Sequence, residues 1–206
     1  MNNLKFKSAR RKFEEIKNKL ENSQFTEQIK EFEKSLEKLI SEYNTANREN
    51  RFVVGGALEV LFCALLNSVG FKAEWIKEVR YDIKIDNIPF SLKSNFISLG
   101  DIRLINILGN EKVVWEEPSI FFVSELGVCY ADPEMGLKTK HTSEALIINV
   151  QEIKSLVNQN SKWHIKISIP RKPRNSQTIK TASYDVAKSV LEEIGSKYLI
   201  KYLPER

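Results

Sequence analysis

The sequence predicts an α/β fold in which a mixed central β-sheet is flanked by helices and preceded by a helical N-terminal extension. Three observations carry that expectation. Residues 4–46 repeat apolar side chains at spacings of three and four between Glu, Lys and Gln. Residues 52–69 are apolar on nearly every side of a helix. From residue 71 onward short apolar runs alternate with turn residues, and an amphipathic stretch follows near the C-terminus.

In the first segment Phe13, Ile16 and Leu20 form one stripe, and Phe25, Ile29, Phe32, Leu36, Leu39, Ile40 and Tyr43 a second. Asn22-Ser23 is the expected break, with Ser23 as N-cap of the second helix. Residues 1–48 are therefore read as a helical unit, either a projecting arm or a packed hairpin, and residues 49–206 as the core domain. The next helix carries Phe52, Val54, Leu58, Leu61, Phe62 and Leu65, and Gly70 ends it. Gly55-Gly56 would admit a close approach to its first turn. Strands are expected at 71–79, 81–85 and 88–96, with Asp86-Asn87 as the turn between the last two. Residues 98–110 fit helix or loop. Residues 119–126 and 128–131 read as paired strands, 146–150 as a strand, 151–158 as a short helix, 162–169 as an alternating strand, and 184–202 as a terminal helix. No internal repeat is present.

Composition narrows the function classes. The chain has 206 residues, of which 42% are hydrophobic and 29% charged, so one core of ordinary size is affordable. No apolar run is read as long enough to span a bilayer, and Met1 to Lys5 lacks the apolar stretch of a signal peptide. No membrane and a cytoplasmic location are the expectations. Cys63 and Cys129 stand in no metal-ligand spacing and are read as buried thiols; His141 and His164 are isolated. That argues against zinc and against Cys/His nucleophilic chemistry. The net charge of +5 suits nucleic acid and a Lys-rich surface equally well.

The residues that point to chemistry lie between 55 and 95. If 81–85 and 88–93 form a hairpin, a two-residue loop pairs Ile85 with Ile88 and sets Asp82 opposite Ser91. A four-residue loop pairs Asp82 with Lys93 instead. Because side chains alternate along a strand, both registers put Asp82, Ser91 and Lys93 on one face and turn Ile83, Ile85, Phe90 and Leu92 to the other. Just upstream, Glu59 is the only charged residue between Arg51 and Lys72. A carboxylate on so apolar a helix needs a metal ion or a lysine if it is buried; otherwise it faces solvent.

Together, Gly55-Gly56-Ala57-Leu58-Glu59, Tyr81-Asp82-Ile83 and Phe90-Ser91-Leu92-Lys93-Ser94 resemble the PD-(D/E)XK nuclease superfamily, and most closely its type II restriction endonucleases. The stretch covers about a fifth of the chain. In that family a helix bearing an acid precedes a three-stranded meander, the first aspartate starts the second strand, and (D/E)XK lies on the third. Two positions depart from the pattern. Tyr81 replaces the proline, and Ser91 stands where a second acid is usual, as in S-x-K variants whose missing carboxylate comes from a helix. Glu59 is the candidate for that carboxylate, ahead of Asp101 and Glu111. The resemblance implies a restriction-endonuclease-like core and Mg²⁺ held by Asp82, Glu59 and the Leu92 carbonyl. Lys93 would orient or deprotonate the attacking water. Ser91 either touches the metal's water shell or has no special role. A rival register, Asp82-Ile83-Lys84 with Glu74 upstream, would move the lysine role to Lys84 and leave Lys93 unexplained.

As partner the resemblance implies double-stranded DNA, cut by a homodimer, with a cognate DNA methyltransferase in the same system. Lys84, Asn95, Lys138, Lys140, Arg171, Lys172, Arg174 and Lys180 are the candidate DNA contacts; any one of the basic loop residues taken singly reads first as solvated surface, and Asn95 equally as the end of its strand. The helices of 1–48 would dimerise or embrace DNA if they project. Asp132-Pro133-Glu134 is read as a turn and not as a second acidic motif. Two other readings stay open: a repair, transposition or junction-resolving nuclease, and a non-catalytic binding protein on a decayed nuclease core.

Overall fold

The structure, a computed structural model, describes residues 2–43, 48–76, 80–107, 113–171 and 181–206. Without Pro or Gly to stop it, the start of the chain is helical through α1 (Asn2–Leu20) and α2 (Thr26–Glu42). The break falls where expected, but Ser23 is not the cap. Asn22 accepts the amide of Gln24 through its side chain, which winds Ser23–Phe25 into a 3₁₀ turn, and α2 begins at Thr26 without a side-chain cap. Both helices are packed: Phe13, Ile16, Phe32, Leu36 and Leu39 are completely buried in one core with the central sheet.

The third helix, α3 (Arg48–Ser68), runs through the middle of the fold. Its window Asn50–Ser68 is apolar and long enough to cross a membrane, contrary to the expectation from the sequence; 61% of it is buried inside the molecule. Gly70 ends it at φ +96°, with the Phe71 amide returning to the Leu66 carbonyl at 3.0 Å and the Gly70 amide to Asn67 at 3.1 Å. That is the left-handed glycine stop foreseen for it.

Six strands form the main sheet in the order β1 (Ala73–Trp75), β2 (Ile83–Ile85), β3 (Ile88–Asn95), β5 (Ser119–Val123), β6 (Gly127–Ala131) and β9 (His164–Ile165). Only β3 and β5 run parallel, so the sheet is mixed. Three more strands, β4 (Asp101–Asn106), β8 (Ala145–Asn149) and β7 (Thr139–His141), make a separate antiparallel sheet. Helices α4 (Val150–Gln159) and α5 (Ser183–Glu193) complete the elements used below.

The middle of the sheet is buried on both faces. Ile120, Phe122, Val128 and Tyr130 face the core shared with α1, α2, α3 and α5. The alternate residues Phe121, Val123, Cys129 and Ala131 face a second core lined by Ile102 and Leu104 of β4, Leu146 and Ile148 of β8, and Ile153 of α4. This is an α/β fold with a mixed central sheet flanked by helices, as the sequence predicts.

Several boundaries differ from expectation. β1 is shorter than 71–79, and residues 77–79 lie outside the described ones. Residues 101–106, read as helix or loop, are a strand because β8 lies alongside. Of 162–169 only His164 and Ile165 pair with β6; the Ile167 amide then folds back on the Ile165 carbonyl at 3.1 Å and turns the chain out of the ladder. The terminal helix stops at Glu193. Gly195 at φ +65° lets the Ser196 amide reach the Leu191 carbonyl at 2.9 Å, and a 3₁₀ turn, Leu199–Tyr202, follows.

A buried ion pair helps tie α1 to the sheet. Asp132, fully buried, accepts two bonds from Arg10 at 2.7 and 2.6 Å, one from the Tyr130 hydroxyl at 2.8 Å and one from the Glu134 amide at 2.9 Å. Asp132-Pro133-Glu134 is thus a capped turn, as read. Removing Arg10 leaves that carboxylate without its countercharge. Arg10→Ala is expected to lower the free energy of unfolding by about 3 kcal/mol, measured by urea titration at pH 7.

Candidate active site

The hairpin of β2 and β3 closes through Asp86 and Asn87, at φ 48° and 67°, with Ile85 opposite Ile88 and Ile83 opposite Phe90. Two consecutive left-handed residues make the two-residue hairpin turn whose twist suits antiparallel strands. The structure thereby selects the register that sets Asp82 opposite Ser91. Ile83, Ile85 and Phe90 are completely buried, and Leu92 nearly so.

Asp82 gathers the motif residues through one oxygen. Its Oδ2 accepts the Ser91 hydroxyl at 2.8 Å, the Leu92 amide at 2.5 Å and the Lys93 ammonium at 3.5 Å. The serine therefore holds the aspartate in place, which is a role the sequence left undecided. Leu92 can use its amide in this way because of the neighbouring strand. Ser91 donates to the Pro118 carbonyl at 2.9 Å, and alternation along a parallel pair then turns the Leu92 amide and carbonyl away from β5, toward Asp82.

Glu59 reaches the same place from α3. It is partly buried and accepts the Trp75 indole N–H at 2.9 Å. Burial, with the charge of Asp82 adding to it, pushes the Glu59 carboxyl up to about 7; the Trp75 bond and the Lys93 ammonium oppose that rise. Glu59 is thus neither a solvent-facing residue nor a fully neutralised one. Trp75 was missed in the sequence, because nothing local marks a strand tryptophan as the partner of a helix acid sixteen residues upstream. Gly56, one turn before Glu59, lies against α5: a Cβ there would meet Ser183 Oγ at 2.5 Å. The expected close approach is real at Gly56.

The remaining candidates are scattered. Lys84 is on β2 with its ammonium 5.3 Å from the Tyr81 ring centre. Glu74, its cross-strand neighbour, pairs with Lys72 at 2.8 Å, so the rival motif finds its upstream acid engaged elsewhere. Asn95 is nearly buried, and both ends of its amide are used within the chain, on the Leu99 carbonyl at 3.0 Å and the Ile97 amide at 3.1 Å. It shapes the β3–β4 connection. Lys138 and Lys140 are exposed on and beside β7. Arg171 is exposed and pairs with Glu125 at 2.7 Å. Lys172, Arg174 and Lys180 lie outside the described residues, as does Glu111. Asp101 is exposed and accepts from Asn149 at 2.8 Å. Both cysteines are buried free thiols, as read, and burial pushes both up in pKa.

Two carboxylates, one serine and one lysine thus form one cluster in which the charge of Asp82 acts against ionisation of Glu59. Among the described residues no group of three His, Cys, Asp or Glu side chains gathers. A hard divalent cation that keeps most of its waters needs no more than two carboxylates, and one placed there would relieve the repulsion.

The raised Glu59 has a consequence for stability. The unfolded chain releases this proton near 4.5 and the folded chain near 7. The contribution to stability is complete below pH 4.5 and is lost as pH rises through 7. Glu59→Gln should flatten that part of the metal-free stability profile and exceed the parent by about 2 kcal/mol at pH 8, measured by denaturant titration from pH 4 to 9 in EDTA. Set against protein-family models, curated proteins and solved structures, the chain finds no match in any of the three.

Proposed function

We propose that this chain is a Mg²⁺-dependent endodeoxyribonuclease with a restriction-endonuclease-like core, hydrolysing phosphodiester bonds of double-stranded DNA as a homodimer in the manner of type II restriction enzymes. The observation that carries the reading is the meeting of Asp82, Ser91-Leu92-Lys93 and Glu59 in one cluster. Chance occurrences of D…SxK in a sequence do not bring a helix carboxylate to the same point.

Asp82, Glu59 and the Leu92 carbonyl would hold the cation. The bound cation would polarise the scissile phosphate and make water acidic enough to act as nucleophile near neutral pH. The chain's own residues supply the rest. Ser91 and the Leu92 amide fasten Asp82 through Oδ2. Lys93, as the ammonium paired with Asp82, offsets the charge that builds on the phosphate oxygens and orients the attacking water, whose proton passes to solvent. Glu59, raised to about 7, is ready to release a proton when a cation arrives. Lys138, Lys140 and Arg171, with Lys172, Arg174 and Lys180, are the proposed phosphate contacts.

Purified protein with Mg²⁺ should cut phage or plasmid DNA into discrete fragments, and DNA modified by a cognate methyltransferase should resist. Asp82→Ala and Lys93→Ala should each slow cleavage at least about 100-fold. No cutting with Mg²⁺ or Mn²⁺ while DNA is still bound would sink the nuclease and leave a non-catalytic binding protein. Mg²⁺ titrated calorimetrically at pH 6 in two buffers of different ionisation heat should release a proton in the parent, and none from this position in Glu59→Gln.

A further inference from the structure

α3 presents a second feature beside the site. Seven residues are close to two turns, so Phe52 lies within about 20° of Glu59 around the helix, with Gly55 and Gly56 between them. Other positions of this part of the helix turn inward: Val54, Ala57, Leu58, Val60 and Leu61 are all at most 2% exposed. Phe52 is 63% exposed. One stripe therefore runs from an open aromatic ring, across two glycines, to the carboxylate that faces Asp82.

The two glycines differ in a way that points outside the fold. Gly56 is required by packing, since a Cβ would collide with Ser183. Gly55 is not: among the described residues nothing lies within 4 Å of a Cβ placed there. Glycine weakens a helix relative to alanine, and at Gly55 no described contact compensates. A bare backbone with open space above it suits a ligand that approaches closely. Next to it, Ser183 and the Trp75 ring lie against Gly56, with the Tyr184 ring tilted 32° to that of Trp75 at 6.1 Å between centres, and Arg51 is exposed next to Phe52.

We infer that the Phe52–Gly55–Glu59 stripe is the track along which a DNA strand reaches the carboxylates, with Phe52 stacking on a base that has left the helical stack beside the scissile phosphate. The chemistry fits each part. An aromatic face accepts any base, a glycine backbone lets the sugar-phosphate chain come close, and Arg51 meets a phosphate. The substrate is then DNA opened at one base step next to the cut. The inference rests on the nuclease reading and specifies its substrate.

The test uses Lys93→Ala as background with Ca²⁺, so that binding is read without turnover. Duplexes carry 2-aminopurine at successive positions. At one position fluorescence should rise on binding, and Phe52→Ala should abolish that rise while Phe52→Trp restores stacking. Gly55→Leu should fold with a melting temperature no lower than the parent, yet bind DNA at least 10-fold more weakly. Cleavage-competent Phe52→Ala should cut a duplex with a mismatch beside the site better than an intact one. If 2-aminopurine is unchanged at every position, or Gly55→Leu binds as the parent does, the track is wrong. The same holds if Phe52→Ala alters only the sedimentation of the protein, which would make the ring a contact between copies. Stripe-dependent binding without any cleavage by the parent would sink the nuclease and spare the track; cleavage with stripe-independent binding would do the reverse.

Discussion

The two-residue turn at Asp86-Asn87 is the constraint on which the site depends. A strand slipped by one residue turns every side chain to the opposite face. Here a slip would pull Ile83, Ile85 and Phe90 out of the core and part Asp82 from Ser91. The turn is clipped from outside as well as set by its backbone. Asp86 exchanges bonds with Lys72 through its amide at 2.8 Å and its carboxylate at 2.9 Å, and takes the Lys12 ammonium of α1 at 3.0 Å. Lys12 and Lys72 hold the Asp86 carboxyl below its ordinary range, although burial works against them. The first helix thus helps to hold the register that assembles a site seventy residues away.

Between the hairpin and α3 the structure keeps an unresolved repulsion. Glu59 and Asp82 face each other at the edge of an apolar core; the Trp75 indole N–H and the Lys93 ammonium offset the rise of Glu59 only in part, while Ser91 and the Leu92 amide bond Asp82. A core selected for stability alone would place an apolar side chain at position 59. Retained strain of this kind is common at sites that await a charged ligand. The surrounding packing holds it: Ile83, Ile85, Phe90 and Leu92 of the hairpin share one core with α3, and β5 beside them is buried on both faces.

The same packing accounts for a serine at position 91. A second acid at position 91 would bring a third negative charge against Asp82 and Glu59. The serine instead donates to Asp82 and is itself nearly buried. The second carboxylate of the cluster enters from α3, which lies against β1, where Trp75 donates to it, and against α5, where Gly56 meets Ser183.

What the sequence determined by itself was local. Periodicity found the helices, Gly70 marked the end of α3, and strand parity joined Asp82 to Ser91 and Lys93 before any contact was known. A solitary charge in an apolar helix singled out Glu59. Tertiary structure decided what depends on distant partners. It chose between two hairpin registers, made residues 101–106 a strand because β8 lies forty residues further on, and cut the alternating run at 162–169 to two residues where the chain folds back at Ile165. It also set the ionisation of Glu59, since desolvation and the field of Asp82 arise only when α3 and the hairpin pack together. Backbone propensity and side-chain alternation act over a few residues and can be read along a line; burial and charge depend on neighbours that the line does not name.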